Sequence, residues 1–343
     1  MTTMSDHRLR FLGWVLVLPL CVFPTSASWA DCGSIPFYAP TMTDFTFNLV
    51  DASFDALVQG VEGVRNQGDR VIDVSFDPLK VTVFEPKQRA IILHNGTEQI
   101  LLLSTDLKAS EKTAVLEVIP LPAKPTVQLG SFETFEKAQR LVVQKRMWAM
   151  AHGGAPAGML SLSKEAGKIH FSKKMGAHEV TVAQVLDPDG FVNFVQSHLK
   201  EKYGAQEAPI QPDFIGIIED YLDDGFKWFA FDAIVVDESD NSREPIAYRF
   251  KSDRVFYPMR ISQLERGETE VEMLVFTPTG VTEFGGLSAD HFDREKQVSL
   301  PSVEVDSLSE QWTGFFGAIE DVVLDQWAIR GDISGFDQDV WVW

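Results

Sequence analysis

Ser161-Leu162-Ser163-Lys164 and, further along, Ser239-Asp240-Asn241 spell the first two motifs of the penicillin-recognising serine enzymes, in the right order. That chemistry needs the serine at a helix N-terminus, with a lysine one turn on to share its proton. The surroundings supply no such helix. Ser161 follows the breaker Gly153-Gly154-Ala155-Pro156-Ala157-Gly158 and precedes a Lys/Gly-rich stretch. Ser239-Asp240-Asn241 follows a predicted strand, Trp228 to Val236, which puts it in a hairpin turn rather than between helices, and no Lys-Thr-Gly comes after it. The acylating-enzyme reading is therefore rejected.

The loop Asp237-Glu238-Ser239-Asp240-Asn241 concentrates hard oxygen ligands of the kind calcium takes, yet it lacks EF-hand spacing and reads as a solvated hairpin tip. Asp187-Pro188-Asp189-Gly190 lacks later acidic ligands and reads as a turn. Tyr221, Asp223 and Asp224 read as a helix C-terminus stopped by Gly225. Beyond the predicted export signal lie His94, His152, His170, His178, His198 and His291. None of them forms a zinc-binding pair such as His-Glu-x-x-His. There is no nucleophile elbow, Walker loop or dinucleotide fingerprint. Asn95-Gly96-Thr97 matches a glycosylation triplet but is better explained as a turn, and Arg330-Gly331-Asp332 needs no adhesion role. No catalytic, cofactor-binding or metal-binding residue is assigned, and no cofactor is expected.

The elements that would position any site are mostly strands. Val81 to Phe84, Ala90 to His94 and Gln99 to Leu103 are short apolar runs, and Asn95-Gly96 between the last two signals a hairpin. Ala114 to Ile119 runs into Pro120-Leu121-Pro122-Ala123-Lys124-Pro125, where prolines cannot donate to a ladder and the chain is expected to leave the sheet. Ser131 caps a helix over Phe132 to Ala151, with Glu133 in its first turn and Phe132, Phe135, Ala138 and Val142 on one face.

Further on, Val180 to Leu186 is a strand and Phe191 to Tyr203 a helix that buries Phe191, Phe194, Val195 and Leu199. Asp213 caps a helix over Phe214 to Leu222. Strands follow at Trp228 to Val236, Pro245 to Phe250, Val255 to Ile261 and Glu270 to Phe276. The tail holds a helix over Gln311 to Val323, and strand pieces around Trp327, Ile329 and Val340 to Trp343. Fold class is α+β, mainly antiparallel sheets with several packed helices. The expected organisation is a signal over 1–30, a hairpin-plus-helix lobe over 31–152, a linker over 153–158 and an α+β lobe over 159–343. One continuous domain over 31–343 is the alternative.

Export is the clearest expectation. Arg8 and Arg10 precede an uncharged apolar run from Phe11 to Phe23, Pro24 breaks it, and Ser28-Trp29-Ala30 offers small residues where a signal peptidase reads. The run is shorter than the about 20 residues of a spanning helix and contains Pro19, so cleavage after Ala30 is expected. Asp31 before Cys32 does not suit a lipoprotein, and Leu9 separates the two arginines of a would-be twin-arginine pair.

Cleavage would take the formal charge from −20 to −21 and leave Cys32 as the single cysteine, so no internal disulfide can form. Such acidity argues against nucleic acid and anionic membranes as partners. With 25 Phe and 8 Trp, the chain has ample material for a core.

Taken in order, several stretches resemble a known family. They are Gln88 to Gly96, Leu101 to Asp106 and Val118 to Pro125, then Val180-Thr181-Val182, Tyr221 to Phe226 with Trp228 to Phe231, and Phe256 to Ile261. The whole, roughly Cys32 to Trp343, is similar to a family of uncharacterised, mostly secreted bacterial proteins, domain of unknown function twenty-three-thirty. Cys32-Gly33 fits the Cys-Gly its members often carry near the mature start, while further cysteines that some have there are missing. The resemblance implies export and one shared fold, and brings no activity.

The expected function is that of an exported, soluble periplasmic or extracellular protein with a binding or structural, interaction role. Its partner would be a protein or cell-envelope ligand, with no nucleic acid and no transmembrane anchor after cleavage. The alternative is a hydrolase of unrecognised type that uses carboxylate acid/base residues.

Overall fold

A computed structural model describes residues 33–37, 48–52, 83–110, 112–151, 178–205, 208, 210–236, 241–264 and 267–342. The signal segment, Cys32, the 153–158 stretch, Ser161 to Lys164 and Asp237 to Asp240 lie outside the described residues. The protein is sheet-rich and mostly antiparallel.

Among the described residues, fifteen strands fall into three sheets. The larger one runs β13 (Phe292–Pro301), β14 (Asp321–Asp332), β12 (Glu268–Thr277), β3 (Val83–His94), β4 (Glu98–Ala109), β10 (Ile246–Lys251), β6 (Thr126–Leu129), with β9 (Asn241–Ser242) also on β4. The second runs β1 (Ile35–Phe37), β5 (Thr113–Leu121), β8 (Trp228–Val236), β7 (Glu179–Gln184), β2 (Asn48–Ala52). A small ribbon pairs β11 (Val255–Tyr257) with β15 (Val340–Val342). Two of the pairings among the described residues are parallel, β12 with β3 and β2 with β7. Both large sheets draw strands from either side of 153–158.

The central strands of the larger sheet are apolar without alternation because both their faces are covered. Ala90 and Ile92 of β3, with Leu101 and Leu103 of β4, face the main core. Their neighbours Ile91, Leu93, Ile100 and Leu102 face a second core. The second core is completed by Phe135, Ala138 and Val142 of α1 (Phe132–Ala151), Val305 of the short α4 (Ser302–Asp306), and Trp312, Phe315 and Phe316. Ser131 Oγ accepts from the Glu133 amide at 3.1 Å, which caps α1 as its sequence demands.

In the main core, α2 (Pro188–Tyr203) lays Phe191 and Phe194 on β8, with Phe194 4.7 Å from Phe231 by ring centroids. Phe191 also meets Phe214 of α3 (Pro212–Asp223) at 5.9 Å.

Several sequence expectations are corrected. The Gln311–Val323 helix does not form. Gly314 and Gly317 both take positive φ, which breaks it after a single 3₁₀ turn at Glu310–Trp312, and Val322 and Leu324 instead alternate inward on β14. Asp187-Pro188-Asp189-Gly190 opens α2 rather than forming a separate turn. Asp187 caps it by accepting from the Gly190 amide at 2.7 Å, and Pro188 is pre-set for the first helical turn.

Asp213 is not the cap of α3. Gln211 takes that position without a side-chain bond, and Asp213 lies in the first turn, where a carboxylate suits the helix dipole. The strand from Val255 ends at Tyr257, because Pro258 and the 3₁₀ turn Arg260–Ser262 follow it. The two apolar runs before the hairpin form one strand, β3, with an irregularity between Phe84 and Lys87.

Pro120 does not end β5 either, since it pairs with Phe229 and the ladder continues to Leu121 opposite Trp228. The Val118 amide donates to Gly33 O, away from β8. Amides two residues apart point the same way, so Pro120 lacks a donor only on that outer side.

Phe191 has no exposed surface and touches three aromatic neighbours. Phe191→Ala is expected to cost ~3–5 kcal/mol, read as a drop in the urea midpoint with an unchanged slope.

Candidate functional site

Two places combine chemistry-bearing side chains with geometry that could use them. One is an open groove of about 530 Å³ where four loops converge. Gly96 and Thr97 of the β3–β4 turn line it together with Lys251 to Arg254, Asp224 to Phe226, Pro122 and Trp341.

Each wall has a local cause. Asn95 Oδ1 accepts from the amides of Thr97 and Glu98 at 3.1 and 2.9 Å, so the turn is built around that side chain as well as around Gly96 at φ 97°. His94 receives the Gly96 amide on Nδ1 at 3.3 Å and reaches Ser252 O with Nε2 at 3.1 Å, which fixes the neutral tautomer with its proton on Nε2. Burial lowers the pKa of this ring, against the Ser252 carbonyl and Asp253.

Behind Asp224, one of the lining residues, lies a buried polar knot. Asp339 Oδ1 accepts from Tyr221 OH at 2.6 Å and from the amides of Met259 and Arg260, both at 3.0 Å. Arg260 lies 4.1 Å from the Tyr221 ring centroid and pairs with Asp224 at 2.7 Å. Burial raises the Asp339 pKa despite those donors, and burial followed by Asp339 raises that of Tyr221. In the groove wall the Arg254 guanidinium carbon lies over the Trp341 ring, 3.7 Å from its centroid, and Phe256 lies 4.4 Å from the same ring. A guanidinium over an indole gains a cation–π attraction that limits where its donors can go, and Asp253 lies 3.9 Å from Arg254 Nε.

A smaller groove of about 370 Å³ lies between β6, β10 and the Glu310–Trp312 turn. Its Arg249 is already paired with Glu98 at 2.6 Å.

The other place is the start of β7, where polar groups are buried on both faces of the sheet, His178 with Asp232 on one and Glu179 with residues of α2 on the other. His178 Nδ1 lies 2.6 Å from Asp232 Oδ2. Tyr203 OH donates to Glu179 Oε2 at 3.0 Å, and Lys202 Nζ lies 2.6 Å from Glu179 Oε1. His198 lies with its ring plane nearly parallel to that of Phe194 at 5.4 Å and meets the Tyr203 ring edge-on at 5.9 Å. Burial, helped by Lys202, pushes the His198 pKa down to about 4. Burial, then Glu179, pushes that of Tyr203 far up. Glu117 of β5 stands directly across from Asp232 in the ladder and accepts from Thr105 at 3.3 Å.

Sequence comparison matches residues 77–332 to the family described as "Uncharacterized protein conserved in bacteria (DUF2330)". The chain belongs to this family. No curated protein and no solved structure matches it. The polar groups at β7 lie wholly inside the matched stretch, whereas Trp341 of the groove and Asp339 of the knot lie beyond it.

The histidines singled out in the sequence part company in the fold. His94 orders the groove, His178 pairs with Asp232, His198 packs between Phe194 and Tyr203 on the other face of that sheet, and His291 packs edge-on to Phe336 at 5.1 Å; His152 and His170 lie outside the described residues. Tyr221 and Asp224, read as a plain helix end, prove to be the link from α3 to Asp339 and Arg260. Gly225, at φ 89°, does stop that helix. Arg330 forms ion pairs with Glu270, Asp293 and Glu295 on the sheet surface. No spacing rule links residue 221 to 339, so the knot had no signal along the chain.

Two outcomes follow. Asp339→Ala leaves three buried donors without their acceptor and is expected to cost ~3–5 kcal/mol, measured by denaturant unfolding. His198 binds its proton near pH 6.5 when unfolded but only near 4 when folded, so stability falls as pH drops through that window. His198→Leu should reduce the loss of stability between pH 6.5 and 4 by ~3 kcal/mol, read by urea titration at both ends.

Proposed function

We propose that this family member is an exported ligand-binding protein of the periplasm or extracellular space, and that the groove walled by Arg254, Trp341 and Phe226 is its binding site. The observation that carries the reading is the Arg254 guanidinium placed over Trp341, 3.7 Å from the ring centroid, in the lining of an open cleft. Such a pre-positioned donor, beside aromatic surface, suits recognition rather than bond-making. The fold behind it is α+β, with helices packed on antiparallel sheets so that four loops are held in fixed relation. Export rests on the charged, apolar and small-residue segments of the first thirty residues. A formal charge of −20 over the whole chain keeps nucleic acid out of the partner class.

Mass spectrometry of the protein recovered from the cell envelope and medium of an expressing bacterium tests export. A mature N-terminus at Asp31 is expected, and an intact Met1 end would overturn it. The binding site is tested by differential scanning fluorimetry against a panel of envelope glycans, peptides and metabolites. A ligand that raises the melting temperature of the wild type and fails to do so for Arg254→Met is expected. A full response in the variant would place binding elsewhere.

A further inference from the structure

The two ring nitrogens of His94 are tied to two different walls of the groove. Nδ1 receives the amide of Gly96, in the β3–β4 turn, at 3.3 Å. Nε2 donates to the carbonyl of Ser252, at the start of the segment that carries Arg254, at 3.1 Å. The residue is buried, at 7% exposure, and both bonds demand the same neutral tautomer. A proton can join this ring only at Nδ1, where the Gly96 N–H already points. The acceptor then becomes a donor, and two donors face each other in a buried place. The Ser252 bond responds in the opposite sense, because an imidazolium donates to a carbonyl more strongly than a neutral ring does. Protonation therefore keeps the Ser252 side and repels the turn.

The turn cannot move alone. Thr97 O accepts from the Ser252 amide at 3.0 Å. Ser252 Oγ donates to Arg254 O and receives the Arg254 amide at 3.4 Å, and Arg254 lies over the Trp341 ring. A continuous run of hydrogen bonds and one cation–π contact thus leads from the turn to Trp341. The charged groups around the ring come from three segments. Asp253 favours the imidazolium, but burial opposes it more strongly, so the ring takes its proton on the acid side of 6.5. Glu98 adjoins Gln99, which stands opposite His94 on β4, and it is paired with Arg249 at 2.6 Å. Lys251 of β10 stands across from Glu98 in the next ladder. Asp224, on the far wall, is paired with Arg260 at 2.7 Å.

We propose that His94 is a pH-operated latch between two walls of the groove: the neutral ring joins the β3–β4 turn to Ser252–Arg254, and the imidazolium parts them and displaces Arg254 from Trp341. The parted arrangement accepts the proton without opposed donors, so acid raises its population. The consequence for a ligand, release in acid, rests on the reading of the groove as a binding site. The latch itself is a property of the chain without ligand.

The test follows the isotope-labelled mature chain by NMR between about pH 8 and 5. The His94 ring, the Gly96 amide and the Trp341 indole N–H should shift together, with one midpoint below 6.5. In His94→Gln the side-chain amide can still accept and donate but does not titrate, so the Gly96 and Trp341 shifts should vanish. Asp253→Asn alters a side chain that is 83% exposed, and it keeps the test open where His94→Gln does not fold. Removing that charge should move the shared midpoint further down. A Trp341 signal that stays still while His94 titrates, or still moves in His94→Gln, overturns the latch. A ring that remains neutral down to about pH 5 does the same. The fluorimetry panel separates this outcome from the binding reading. A coupled titration with no Arg254-dependent ligand upholds the latch and removes the binding site. An Arg254-dependent ligand whose effect is constant through the midpoint keeps the site and overturns release in acid.

Discussion

The covering of both faces of strands β3, β4 and β12 is the constraint on which the rest of the structure depends. A sheet whose middle strands are apolar on each side must be roofed twice. One roof is made by α1, α4 and the 3₁₀ turns around Trp312. The other is the main core shared with the five-stranded sheet and its helices α2 and α3. The two large sheets interleave early and late parts of the chain, so neither half can bury its strands alone. Loops at the ends of those strands are held in fixed relation as a consequence, and the groove lies among them.

Buried carboxylates tie distant segments to this frame. Asp339 gathers the end of α3, the turn at Met259–Arg260 and the chain entering β15. Asp325, with no exposed surface, accepts from the Val281 amide at 2.7 Å and from Arg294 on the edge strand β13. Asp232 holds His178 at the entry to β7. In each case an ionisable group taken from water is matched by specific donors, and it is the match that fixes which segments meet. Where the match is incomplete, as around His178, the fold carries a cost that packing does not return. In the groove, contact with the Trp341 ring sets the position of Arg254 in advance.

Local features were legible in the residues. Asn95-Gly96 marked the β3–β4 turn, Ser131 and Glu133 marked the start of α1, and Phe191, Phe194, Val195 and Leu199 marked the inner face of α2. Composition over a longer window misled where backbone conformation decided the outcome. Gln311 to Val323 has a helix-like pattern, yet two glycines with positive φ turn the chain and send its end into β14. Pro120 looked like a terminator, but its missing donor falls on the side that β8 does not use. The strand β13 gave little sign of itself because it lies at an edge, with most of its charged side chains in water.

Family membership, the strand-rich character and the absence of any familiar catalytic spacing could be read from the sequence, because each depends on residues close together or on their order. The sites could not. Tyr221 meets Asp339, His178 meets Asp232, and Arg254 meets Trp341 across separations that no short-range rule spans. Strand register brings His178 and Asp232 together, and the docking of β15 on β11 delivers Trp341 to the groove. Short-range preferences set the elements of this protein. Which polar groups become neighbours was decided by how two sheets share one core, since only there does burial force each of them to find a partner.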